Sequence, residues 1–262
     1  MKTLAEDKFS KMLTEIVSEP GHLSTAYSAF YGYSLGNQLL ALFECYERSI
    51  QAGPINTYKG WTALGRQVKK GERAITLCMP VTCKSEDKND KGEPEQHVYT
   101  RFIFRPNWFT LAQTEGQDYK HDIKIADWNP ELALTTLGIE QVPLENLNGN
   151  IQGYAKDKTI AISPIAEFTH KTRFHELAHV VHGHTREHTM TDSEHTPRDI
   201  REVEAESVAY ILCSLLDLPG KTESRGYIQH WLNGQPIPEK SAMKIFSATN
   251  KILTAGQTKK DN

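Results

Sequence analysis

The stretch RFHELAHVVHGH (Arg173–His184) constrains this chain more than any other. Phe174, Leu177, Ala178 and Val181 fall at helical spacing, so the segment reads as a helix burying one face. Gly183 marks its C-terminal stop. His175 and His179, four apart, then stand one turn apart on a single face. Two imidazoles so placed can share one Zn2+ at about 2.0–2.1 Å. Glu176 projects about 100° around the helix from His175. It can therefore take a proton from a water acidified by that ion to a pKa of about 7, without being a ligand itself.

The third ligand must come from elsewhere. His182 is seven residues after His175, about 10 Å of helix rise, and cannot join the same ion. The variant pattern with glycine three after the second histidine fails, because that place is held by His182 and Gly183 comes one late. The segment TPRDIREVEAESVAYILCSLLDL reads as the next helix, with Thr196 as N-cap, Pro197 at N1 and Asp199 at N3. Glu202 and Glu206 are four apart on a stripe with Ala205 and Ala209, small enough for close helix approach. Ile200, Val203, Val208, Ile211 and Leu215 form a second, core-facing stripe. Two neighbouring carboxylates on a packed face are costly unless something cationic neutralises them. Glu202 is read as the third ligand, and Glu206 as the group that holds a ligand imidazole by its outer N–H. The reversed assignment and a plain salt-bridged helix face remain alternatives. Glu204 is expected at solvent, and His184, His188 and His195 as solvated loop histidines. TIAISP upstream is expected to be a strand whose edge lies beside the histidine helix, where a peptide backbone can pair. An oxyanion could be stabilised by Tyr154, Tyr210, Tyr227 or His195.

With 262 residues, 38% hydrophobic and 24% charged, the chain suits one large or two ordinary soluble domains. A net charge of −3 confines any nucleic-acid site to a local patch. No apolar run approaches the roughly 20 residues of a membrane helix, and the acids scattered through the N-terminus argue against a secretory signal. Cys45, Cys78, Cys83 and Cys213 form no C-x-x-C pair, which points to a reducing cytoplasm. Helical spacing covers Thr3–Ser18, and LGNQLLALFECYERS reads as a second helix after a linking GHLSTAYSAFYGYS. AITLCMPVTCKS and HVYTRFIFRPNWFTLAQ read as strands around a charged hairpin loop, EDKNDKGEPEQ. The composition changes at TEGQDYKHDIKIADWNP. Beyond it, helices are expected over 165–182, 197–218 and 240–255.

A basic cluster lies in the first part. Lys59, Arg66, Lys69, Lys70 and Arg73 are interleaved with Tyr58 and Trp61 and opposed by one acid, Glu72. Cations can track a phosphate backbone while aromatic faces stack on bases. A solvated basic surface with Trp61 in the core is the competing reading.

Both halves resemble one family. YSLGNQLLALFE, TYKGWTALGRQVKKGERAI and FTLAQTEG are similar to the single-stranded-DNA-binding domain of ArdC-type antirestriction proteins. FHELAHVVHG, EVEAESVAYILC and YIQHWLNG resemble the zincin-like metallopeptidase domain that follows it in that family. The resemblance implies an α+β chain of two domains: an α/β single-stranded-DNA-binding domain over 1–115, a linker over 116–128, and a mainly helical metallopeptidase domain over 129–262. It implies Zn2+ or another divalent metal on His175, His179 and Glu202, with Glu176 as general base. It extends DNA contact to Asn37 and Gln38, beside Tyr58, Lys59, Trp61, Arg66, Lys69, Lys70 and Arg73. The implied partners are single-stranded DNA and a protein substrate such as a host restriction factor, with no membrane. The implied work is protection of incoming plasmid or phage DNA. A protease aimed at DNA-bound proteins and a non-catalytic DNA-binding protein with structural zinc are the alternatives.

Overall fold

A computed structural model describes residues 7–19, 21–88, 94–120, 125–145, 151–185, 197–232 and 235–258. The chain is a mixture of helix and sheet. In chain order it runs α1 (Lys8–Ser18), α2 (His22–Ala29), α3 (Leu35–Glu47), β1 (Ile55–Thr57), α4 (Tyr58–Ala63), β2 (Arg66–Val68), β3 (Ile75–Lys88), β4 (Pro94–Thr110) and β5 (Thr114–Gly116). It continues with α5 (Pro130–Leu137), β6 (Glu140–Val142), β7 (Gly153–Lys156), β8 (Thr159–Ile162), α6 (Thr169–His182), α7 (Arg198–Leu215), α8 (Lys221–Leu232) and α9 (Glu239–Ala255). Among the described residues, no helix is long and apolar enough to cross a membrane.

Two compact units are present, and neither is contiguous in sequence. One takes residues up to Ser28, 34–36 and from 123 onward; the other takes 29–33 and 37–122. The division expected at residue 115 kept α1 with the first domain. Here α1 packs on α9, because its stripe of Phe9, Met12, Leu13, Ile16 and Val17 needs a facing apolar surface. Phe9 and Phe246 meet at 6.0 Å. The Glu239 carboxylate accepts from the Phe9 and Ser10 backbone N–H groups at 3.0 and 2.8 Å, capping a helix start that has no side-chain cap of its own.

In the α1-containing unit, α7 is buried without a break from Val203 to Cys213. Such a helix has no solvent face in that stretch. Helices α6, α8 and α9 all pack against it. Trp128 sits edge-on to Phe174 at 4.8 Å and donates its indole N–H to the Ile252 carbonyl, tying α6 to α9. A small sheet in the order β6-β8-β7 carries β6 parallel and β7 antiparallel to the central β8. α6 packs on β7 and β8.

In the other unit, β4 lies between β1 and β3 in an antiparallel sheet, with a register shift between Ile75 and Thr76. β2 pairs with β5. The β3–β4 ladder runs out to the pair Lys88↔Pro94, so much of the charged stretch expected to be loop is strand; residues 89–93 lie outside the described ones. α3 clamps the start of β3 with side chains. Asn37 exchanges two hydrogen bonds with the Cys78 backbone at 2.8 and 2.9 Å, and Glu44 accepts from the Thr76 N–H. α2 occupies what the sequence suggested was a link, since Leu23, Ala26 and Tyr27 supply a short buried stripe.

Candidate metal centre

α6 and α7 bring the expected donors together. His175 Nε2 and His179 Nε2 are 3.1 Å apart, and Glu202 Oε2 lies 3.5 and 3.8 Å from them. Two ligands in a tetrahedral shell at 2.0–2.1 Å are separated by about 3.3 Å. The three donors therefore fit one divalent ion with little adjustment, and they form one of the His/Glu clusters able to hold a metal. Two imidazole lone pairs facing at 3.1 Å repel unless a proton or a cation lies between them.

The outer face of His175 is fixed as well. Its Nδ1 meets Glu206 Oε2 at 2.9 Å, and Lys171 Nζ holds the other Glu206 oxygen at 2.9 Å. With Nδ1–H donating to Glu206, the Nε2 lone pair is left for a metal. Glu202 thus stands among the inward donors and Glu206 behind them. Burial alone would lower the His175 pKa. The hydrogen bonds to Glu202 and Glu206 outweigh it and raise it to about 10. Burial would likewise raise Glu206, but His175 and then Lys171 bring it down to about 2. Hydrogen bonds from both histidines, against the opposing effect of burial, hold Glu202 far below the usual carboxylate range. Without a metal, a protonated His175 supplies the cation that these carboxylates demand.

Glu176 is only 7% exposed, yet it reaches the same cleft. Burial pushes its carboxyl up to about 7; the His175 charge opposes this and the Glu202 charge adds to it. A carboxylate poised there can accept a proton near neutral pH. The cleft holds about 480 Å3 and is lined by Gly153–Ala155, the donor residues, His184, Thr185, Arg198 and Arg201.

Four expectations are corrected. His184 is not solvated: its side chain is 3% exposed and spans His179 Nδ1 at 3.0 Å and Glu204 Oε2 at 2.9 Å. Gly183, at φ 78°, ends α6 in a left-handed turn that folds His184 back over the last helical turn. Glu204 is 1% exposed, since α7 has no solvent face at that level. The edge strand beside α6 is β7, not the TIAISP segment, which forms the central β8. Pro197 stands at the cap position of α7 itself, one place earlier than expected. His182, excluded as a ligand, stacks on His184 at 5.0 Å. Of the oxyanion candidates, Tyr154 lines the cleft, while Tyr210 is buried and donates its hydroxyl to the Ile16 carbonyl. His188, His195 and Thr196 lie outside the described residues. Arg198 and Arg201 were not singled out, although Arg198, four before Glu202, shares its helix face.

The basic cluster divides. Trp61 is 1% exposed and donates its indole N–H to the Phe109 carbonyl at 2.8 Å, so it is a core residue with no face for a base. Gln38 is buried, its amide donating to the Tyr33 carbonyl, and Asn37 is occupied by Cys78. Arg66 spends its guanidinium on Thr114 and the Gln117 carbonyl, and Lys69 donates to the Ala112 carbonyl. Tyr58, at 49% exposure, and Lys59, Lys70 and Arg73 stay exposed. The sequence reading missed the exposed Tyr99, Arg101, Phe102 and Arg105 on β4. Strand alternation marks none of them, because both faces of that ladder reach solvent.

Residues 14–119 match the family described as the N-terminal domain of anti-restriction factor ArdC. An uncharacterised protein of Bacillus anthracis is 23% identical over 247 residues, covering 75% of this chain and 41% of that protein. The chain thus spans about two-fifths of that curated relative's length. The metal-free crystal structure of antirestriction ArdC protein from the R388 plasmid is similar at a TM-score of 0.50 and 21% identity, covering 95% of both chains. Its Mn(II)-bound structure gives 0.47 at 20% identity, covering 95% of this chain and 96% of that one.

Proposed function

We propose that this chain, whose residues 14–119 match the N-terminal domain family of ArdC and whose fold resembles that of R388 ArdC, is an ArdC-type protein that protects incoming plasmid or phage DNA from host restriction. In this reading it binds single-stranded DNA through the 37–122 unit and carries a zinc-dependent peptidase-type centre in the other. The convergence of His175, His179 and Glu202 beside a buried Glu176 carries the reading. A bound divalent ion would supply Lewis-acid polarisation and a more acidic water. The remaining roles belong to the chain. Glu176 accepts a proton and returns it to the leaving amine. The exposed edge of β7 aligns an extended backbone beside α6. Tyr154, Arg198 or Arg201 faces the developing oxyanion. His184 stands behind His179 and outside the ligand set, which favours a catalytic over a four-ligand structural site.

For DNA, the exposed Tyr58, Lys59, Lys70 and Arg73, with Tyr99 and Phe102 as stacking faces, offer the chemistry of a single-strand groove. Free cysteines suit a cytoplasmic setting. The protein substrate is a restriction factor or another DNA-bound protein. Glu176→Gln tests the centre: it should keep zinc affinity and lose DNA-stimulated protein cleavage. Wild-type cleavage by this variant would remove Glu176 from the mechanism. Equal protection of transferred DNA by both proteins would separate protection from proteolysis.

A further inference from the structure

The two metal-facing histidines are anchored differently. His175 gives its outer nitrogen directly to Glu206. The outer nitrogen of His179 meets another imidazole, His184, whose far nitrogen meets Glu204. We infer that His184 and Glu204 are positioning residues for His179, a two-link anchor that doubles on one side of the centre what Glu206 does on the other. The inference rests on the metal reading of His175, His179 and Glu202.

Proton placement supports it. With Nε2 of His179 turned to a metal, its Nδ1 carries hydrogen. Nδ1 of His184, 3.0 Å away, must then present a lone pair. The hydrogen of neutral His184 therefore sits on Nε2, 2.9 Å from Glu204 Oε2, where a carboxylate accepts it. His179 donates once, His184 accepts once and donates once, and Glu204 accepts once, with no proton left over. Its middle and end are buried, at 3% and 1% side-chain exposure, so water does not compete for these bonds. Gly183 is what makes the return of His184 possible.

The same geometry argues against another use of these side chains. His182, His184 and Glu204 also place three donor atoms within 4.8 Å. A cation there would take the Nε2 lone pair of His184 and move its hydrogen to Nδ1. Two N–H groups, on His179 and His184, would then face each other at 3.0 Å. The anchor and a second cation site exclude one another while His179 holds a metal.

The test uses the full chain with zinc alone. Competition with a chromogenic chelator gives affinity and stoichiometry, and long-range 1H–15N correlations give the histidine tautomers. The wild type should bind one zinc, with His179 protonated on Nδ1 and His184 on Nε2. His184→Leu should weaken zinc binding about 10- to 100-fold. His184→Asn, whose amide oxygen replaces the lost acceptor, should recover most of that loss. Glu204→Gln, which keeps an acceptor without charge, should fall between. An apo melting temperature like the wild type's separates this effect from misfolding. If His184→Leu does not fold, the Asn and Gln variants and the tautomers decide. Wild-type affinity in a folded His184→Leu, Nδ1-protonated His184, or a second zinc lost in Glu204→Gln would each overturn the anchor and leave the centre standing. A wild type that binds no zinc would overturn the centre, and the anchor with it.

Discussion

Gly153 is the glycine on which the cleft depends. It opens β7, and a Cβ placed there would lie 2.9 Å from the Ala161 carbonyl oxygen, 2.9 Å from the Thr172 methyl and 3.1 Å from Glu176 Oε1. Ordinary contact begins at 3.4 Å, so Gly153→Ala demands about 0.5 Å of movement. Glu176 can rotate away. The Ala161 carbonyl cannot, because its residue is paired to Tyr154 in the β7–β8 ladder. Two effects compete. Alanine in a strand gains about 0.5–1 kcal/mol over glycine. Overpacking costs about 1–3 kcal/mol. The second wins, for a net loss of roughly 0.5–2 kcal/mol, or about 1–8 °C in melting temperature for a chain of this size. Urea unfolding of the metal-free protein measures it. Thr172→Ser removes the clashing methyl and should restore part of the loss in the double variant. Because Glu176 must turn away, any hydrolytic activity should fall further than stability does, while zinc affinity stays. A Gly153→Ala protein as stable as the wild type would refute the reasoning, since β7 would then not be locked between β8 and α6.

Trp61→Phe should destabilise the chain by about 1–3 kcal/mol, because the Phe109 carbonyl loses its buried donor. Affinity of the folded variant for a single-stranded oligonucleotide should be unchanged, and a selective loss of binding would return Trp61 to the interface. Replacing Tyr58, Lys70 and Arg73 together by alanine should instead weaken that binding and flatten its salt dependence, with little change in melting temperature; unaltered binding would place the DNA surface elsewhere. Burial first, then repulsion from His184, lowers the His182 pKa to about 3 from an ordinary 6.5. A depressed folded-state value gives stability that is complete above pH 6.5 and is lost as pH falls toward 3, by up to about 1.4 kcal/mol per unit. The wild type should therefore lose more stability between pH 7 and 5 than His182→Phe, and parallel urea midpoints for the two would contradict the burial of that ring.

Local sequence carried the spacing of His175, Glu176 and His179 and the E-x-x-x-E pair on the following helix. Both follow from helix periodicity, which places residues four apart on one face wherever the helix goes but does not choose between Glu202 and Glu206. The resemblance of both halves to one family was legible separately, as short motifs in order. Periodicity could not say how a helix is covered. Glu204 looked like a solvent residue because it points away from its two neighbours, but α7 is enclosed and there is no solvent on that side. Trp61 looked like a stacking face because aromatics among lysines have that chemistry, whereas burial and one carbonyl make it core. The partner of α1, the edge position of β7 and the return of His184 each join residues far apart in sequence or separated by a reversal of the chain. Such pairings depend on which apolar faces and polar groups find one another in three dimensions. Only the tertiary structure decides them, because burial and hydrogen-bond partners belong to the packed whole and not to any one segment.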